Sequence, residues 1–155
     1  MDESLLMLSQ DVRNKTLKLL DGMTDEQVRY TAPGLTNSIL WHAGHVITVI
    51  EHIVVIPITA KDPAYPMGWF QMFSWKSQPQ HVENWPKLEE VTSQLIDQYR
   101  RVSGLIQKLN EDHLKTIVDP TKGKTLRYNI IHAFHDEANH QGEIWLLKKL
   151  VTKQA

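Results

Sequence analysis

A proline-free run from Thr125 to Val151 sets the terms on which this chain can fold. Apolar residues recur through it at helical spacing. Thr125 is a suitable N-cap, and Lys148 and Lys149 suit the negative end of a helix dipole. The run predicts one helix spanning roughly 40 Å at about 1.5 Å rise per residue. Its polar residues are patterned. His132, Asp136 and His140 fall at i, i+4 and i+8, and Glu143 follows His140 at i+3. Residues three and four apart share a helix face, so one stripe carries two imidazoles and two carboxylates. Asp136 and His140, one turn apart, can converge on a single ion. His135 lies five residues from His140, about 140° around a regular helix, and could join it only through a π-bulge. The competing reading is a solvated face, on which Asp136, Glu137, Asn139, Gln141 and Glu143 are all ordinary.

The remaining chain supplies partners for this helix. Ser4 to Leu20 is amphipathic, and Thr24-Asp-Glu-Gln27 reads as a capping box opening a short helix. Asn37 to Ile56 is apolar on nearly every side, as expected of a helix buried in a bundle or at a subunit contact, and Pro57 is expected to stop it. Lys61 to Gln80 is punctuated by Pro63, Pro66, Gly68 and Pro79 and crowded with Trp69, Phe70, Met72, Phe73 and Trp75. It reads as a packed crossover with a short helix of its own, its aromatics forming a lid over the core or, alternatively, a substrate wall. Pro86 to Leu109 is the third long helix, with Asn84 as its cap and Pro86 in its first turn. Asn110 to Lys124 is a polar connection, and no strand signal is visible. The expectation is an all-α fold: one domain over residues 1–155, a four-helix bundle with a long crossover between the second and third helices.

Composition narrows the function. The chain has 155 residues, 41% apolar and 23% charged, with a formal net charge of −1. That balance offers no pull toward nucleic acid or anionic membrane. The longest apolar stretch, Ile39 to Ile58, is broken by His42, His45, Glu51, His52 and Pro57 and makes a poor membrane span. The opening Met-Asp-Glu-Ser-Leu lacks the features of a signal peptide, so a bacterial-type cytoplasm is the expected location. Cysteine is absent, which excludes disulfides, thiolate metal sites and a cysteine nucleophile. Any metal must be held by His, Asp or Glu.

The second long helix offers the complementary ligands. His42, His45, Val49 and His52 form one stripe on an otherwise apolar surface. His45 and His52 are two turns apart, roughly 10 Å, and cannot share an ion. Either could meet the ion offered by Asp136 and His140, and Gly44 leaves room for close approach. Otherwise each histidine is a satisfied core or rim residue.

Trp41-His42-Ala43-Gly44-His45 before an apolar helix, with Asn139-His140-Gln141-Gly142-Glu143-Ile144 on the last helix, resembles the DinB-like superfamily. The resemblance covers essentially the whole chain and implies a four-helix bundle related to bacillithiol transferases and mycothiol-dependent maleylpyruvate isomerases. It also implies a homodimer and a three-histidine metal site. His45 and His140 match two of those ligands. The third falls at Asp136, a departure that leaves two histidines and a carboxylate, or a substitute in His135, or a site that has lost its metal. An aspartate remains an acceptable ligand for Zn²⁺, Ni²⁺, Mn²⁺ or Fe²⁺. The first functional expectation is therefore a divalent-metal-dependent enzyme acting on a small molecule, of thiol S-transferase or hydrolase type. A low-molecular-weight thiol would be its cosubstrate, and Glu137 or Glu143 would orient a ligand or act as general base. The alternative is a non-catalytic, stress-associated bundle: a dimer or small-molecule binder with a degenerate site.

Overall fold

Helix ends fall where side chains can satisfy the unpaired backbone amides. The computed structural model describes residues 2–153. Asp2 opens α1 (Glu3–Leu20), its carboxylate accepting from the Ser4 and Leu5 amides. The expected capping box is present on α2 (Asp25–Arg29), where Thr24 and Gln27 satisfy each other's amides. Ser38 caps α3 (Ile39–Ile50) by accepting from the Trp41 amide. Thr125 caps α8 (Leu126–Thr152) in the same way, accepting from Tyr128.

Pro57 does not stop the second long helix as expected; it changes its winding. Residues Glu51–Val55 form a π-helical turn, and α4 (Ile56–Thr59) continues beyond it to Ala60, which adopts a left-handed conformation. A proline has no amide to offer the carbonyl four residues back, here that of Ile53. The Asn129 side-chain amide donates to that carbonyl instead, at 2.9 Å. A side chain of α8 thus replaces the bond that proline removes, and the helix survives. The stretch Ile39–Thr59 is long and apolar enough to cross a membrane, but 83% of its most apolar 18-residue window is buried inside the protein. It is the core helix of the fold.

The crossover carries α5 (Trp69–Phe73), the expected short helix, and a 3-10 turn at Pro79–His81. Trp69 and Phe73 are buried as a lid, while Trp75 and Met67 remain exposed. The third long helix, α6 (Leu88–Lys108), takes its cap from elsewhere than expected: the Leu88 amide donates to Asp25 of α2, and Lys87 rather than Asn84 occupies the N-cap. The connection that follows is also more ordered than expected. It contains α7 (Glu111–Lys115) and a small antiparallel hairpin, β1 (Ile117–Asp119) with β2 (Lys124–Thr125). Its turn is held by Asp119 accepting from the Thr121 amide and hydroxyl.

The four long helices pack so that α1 and α3 each lie against both α6 and α8. Leu40, Ile47, Ile50, Leu95, Ile130, Phe134 and Ile144 are fully buried between them. A chain of polar side chains runs through this hydrocarbon. Arg13 of α1 is 1% exposed and forms a two-pronged pair with Glu137 of α8, at 2.9 and 3.1 Å. It also donates to the Leu95 carbonyl and the Gln98 side chain of α6. Gln98 donates in turn to Glu51 in the π turn, and Arg101 closes the chain on Glu51 at 2.7 Å. Two buried carboxylates thus meet two guanidinium groups, and the network touches every long helix.

Breaking a buried pair from one side leaves an uncompensated charge, at about 3–5 kcal/mol. We expect Arg13→Ala to lose stability in that range by urea denaturation. Replacing both Arg13 and Glu137 with methionine should recover most of the loss.

Candidate metal centre

On α8, Glu137 and Gln141 form one i, i+4 pair and Asp136 and His140 another, each residue of the second pair preceding one of the first. One residue is about 100° of helix rotation. Glu137 and Gln141 are turned onto α1, where they meet Arg13, Thr16 and the Val12 carbonyl. Asp136 and His140 are thereby turned toward α3, and His45 faces them from it. The Nε2 atoms of His140 and His45 lie 3.6 and 3.9 Å from Asp136 Oδ2, and the two rings are 4.8 Å apart. The three donor atoms lie within 4.8 Å of one another, so His45, Asp136 and His140 could hold a metal ion.

His45 is held ready for such a role. Its Nδ1 donates to the Phe73 carbonyl at 2.7 Å, which leaves Nε2 as the lone-pair nitrogen facing the cluster. Its ring stacks on Trp41, with centroids 4.6 Å apart and planes 16° apart. Burial lowers its pKa; the bond to Phe73 opposes that shift and the neighbouring His140 adds to it. His42 is pushed down to about 3 by burial and by its neighbours His140 and His45. Both rings are neutral near pH 7, the form that binds metal.

Asp136 shows what the cluster lacks. Among the described residues, its Oδ2 is a buried side-chain oxygen with no hydrogen-bond partner. A buried carboxylate oxygen without a proton donor is unfavourable, and a cation held between it and the two imidazole nitrogens is a partner that corrects it. The donor set of two imidazoles and one carboxylate suits a divalent first-row ion. The residues present therefore fit a metal.

Other expected residues lie elsewhere. Glu137 is buried against Arg13 and does not reach the cluster, so it cannot serve there as general base. His135 is exposed, and α8 is regular through it, so no bulge brings it to His140. His132 is exposed and stacks on Tyr128. The π turn that the chain does contain lies in the other helix, at Glu51–Val55, where His52 bonds the Tyr65 hydroxyl at 2.8 Å, away from the ion position. Glu143 does reach the cluster, accepting from His140 Nδ1 at 2.9 Å. His42, which the spacing placed on the same stripe as His45, contacts His140 as well, Nδ1 to Nδ1 at 2.9 Å.

Trp41, Phe73 and Ser77 were not expected at the site. Trp41 packs on His45, His42 and His140, and its indole N–H donates to Ser77 at 2.8 Å. Phe73 is seated by Gly44: a Cβ on that glycine would lie 2.4 Å from the phenyl ring. The Trp41-to-His45 spacing of one helical turn was a legible signal; the Phe73 carbonyl left none in the sequence.

A predominantly helical protein with a histidine–carboxylate cluster between two core helices is the class that fold and site define. The chain belongs to the DinB superfamily, whose profile matches residues 9–144. A conserved protein from Enterococcus faecalis of known structure is similar, with a TM-score of 0.71 over 99% of this chain and 98% of that one. At 16% identity that likeness shows the fold alone. No curated protein matches the chain significantly.

The Gly44 contact gives a direct check on His45. An added methyl group overpacks the Phe73 seat, which destabilises by about 1–3 kcal/mol. Gly44→Ala should lower the thermal midpoint and weaken divalent-metal affinity together. Gly104→Ala, where nothing lies within 4 Å of the new Cβ, should do neither.

Proposed function

We propose that the protein is a divalent-metal-dependent enzyme acting on a small molecule, of transferase or hydrolase type. The observation that carries this reading is the unpartnered Asp136 Oδ2 facing the Nε2 atoms of His45 and His140. His45, Asp136 and His140 would hold the ion. Once bound there, it would supply Lewis acidity, lowering the pKa of a water or thiol or polarising a carbonyl.

The chain's own residues supply orientation and exclusion. The Phe73 carbonyl fixes the tautomer of His45, and Glu143 accepts the Nδ1 proton of His140. Such outer partners hold ligand rings at their working angle. Trp41, packed on His42, His45 and His140, and the buried Phe73 would shield the inner side of the cluster from solvent. Glu143, whose side chain is 57% exposed, is the carboxylate placed to pass a proton between the cluster and solvent. A cleft of about 760 Å³ lined by Phe70, Met72, Ser74 and Ser77 is linked to the cluster by the Ser77–Trp41 hydrogen bond and would be a receptacle for a small substrate. The chain contains no cysteine, so in a thiol transfer the sulfur would arrive with the cosubstrate. A degenerate, non-catalytic site has less support, because Asp136 in place of the third histidine still presents a buried oxygen to His45 and His140, where a cation would pair with it.

Freshly purified protein should contain a tightly held divalent ion by elemental analysis. His45→Ala and His140→Ala should each remove it without altering the circular dichroism. Stripped protein should lose transferase or hydrolase activity and regain it with one ion type. Full activity after stripping would rule the proposal out.

A further inference from the structure

The hydrogen bonding on the other side of His140 does not close. Three atoms face one another there: His42 Nδ1, His140 Nδ1 and Glu143 Oε2. The two nitrogens are 2.9 Å apart, and they lie 3.1 and 2.9 Å from the carboxylate oxygen. A neutral imidazole nitrogen carries a proton or presents a lone pair, and an ionised carboxylate only accepts. If one nitrogen carries the proton, the lone pair of the other confronts the carboxylate with nothing between them. If both carry it, both can donate to the carboxylate, but two N–H dipoles of like orientation are then crowded side by side at 2.9 Å. Every arrangement of neutral rings leaves one edge of the triangle repulsive. A cation shared by all three atoms leaves none.

The dimensions suit a metal. Bonds of about 2.1 Å at right angles, as in a tetragonal Cu²⁺ site, place neighbouring donors about 3.0 Å apart. The observed edges are 2.9, 2.9 and 3.1 Å. The two sides of the triangle differ in access. His42 is buried and packed edge-on against Trp41, so its nitrogen is held in place. Glu143 lies on the exposed side, where an ion can enter and keep water ligands.

We propose that His140 bridges two cation positions. Its Nε2 serves the position at His45 and Asp136, and its Nδ1 serves a second one formed with His42 Nδ1 and Glu143 Oε2. The proposal shares His140 with the functional reading above and extends it. When the second ion binds, it replaces the Nδ1 proton of His140, which passes to solvent; no electron is transferred. Glu143 then changes from hydrogen-bond acceptor to ligand. Two imidazoles and one carboxylate favour Zn²⁺ or Cu²⁺ over Mg²⁺ or Ca²⁺.

The test is a Cu²⁺ titration of the metal-stripped full-length chain, followed by electron paramagnetic resonance. The signal should grow to one equivalent and then fall as the second ion couples to the first through the shared ring. His42→Ala should stop at one equivalent with an uncoupled signal. Glu143→Gln alters an exposed side chain and should fold normally; it should weaken the second equivalent by at least about tenfold. A wild-type chain that saturates at one equivalent overturns the proposal, as does a second equivalent that both variants leave unchanged. One equivalent that Asp136→Ala abolishes and His42→Ala keeps overturns the second position and leaves the first standing. A wild-type chain that binds no copper overturns both.

Discussion

The pairing of Arg13 with Glu137 fixes the rotation of the last helix, and the site follows from that rotation. A helix packed only by Leu and Ile can turn some way about its axis at small cost, because hydrocarbon contacts are non-directional. A two-pronged guanidinium–carboxylate pair is directional. Thr16 adds a bond to the same carboxylate, and Gln141 one turn later donates to Thr16 and to the Val12 carbonyl. With Glu137 and Gln141 committed to α1, Asp136 and His140 have one direction left, which is toward α3. On the opposite wall Glu51 is held by Gln98 and Arg101, and Asn129 ties the π turn to α8. The buried polar chain thus sets the phase of the helices that carry the cluster.

Such a network adds little net stability compared with a hydrocarbon core of the same shape, since removing charges from water is expensive. What it supplies here is orientation. The histidine side uses a similar device on a smaller scale. Gly44 admits the Phe73 ring, the Phe73 carbonyl takes the Nδ1 proton of His45, and Trp41 stacks on the ring face. Each element is unremarkable alone; together they leave a single nitrogen facing the ion position.

The last helix was legible to within a residue at each end, because nothing interrupts its period and Thr125 has the chemistry of a cap. The meeting of His45 with Asp136 and His140 was legible from motif spacing and family resemblance. The place of Glu137 was not. It sits among exterior-type residues, and its partner Arg13 is 124 positions away, beyond the reach of any local pattern. Pro57 was misread for a related reason: the donor that rescues the Ile53 carbonyl comes from Asn129 in another helix. The hairpin escaped notice because strands of three and two residues carry no alternation to detect. His42 was placed on the right stripe, but its contact with His140 depends on how two helices cross, which sequence spacing does not encode.

The proposed function depends on an ion between α3 and α8. The most direct measurement is anomalous diffraction at the metal edge from crystals of the purified protein soaked in Zn²⁺. The account predicts a peak bonded to His45 Nε2 and His140 Nε2 at about 2.0–2.1 Å, with Asp136 at about 2.0–2.2 Å. Zinc found only on surface carboxylates, with Asp136 Oδ2 still facing two uncoordinated rings, would contradict it.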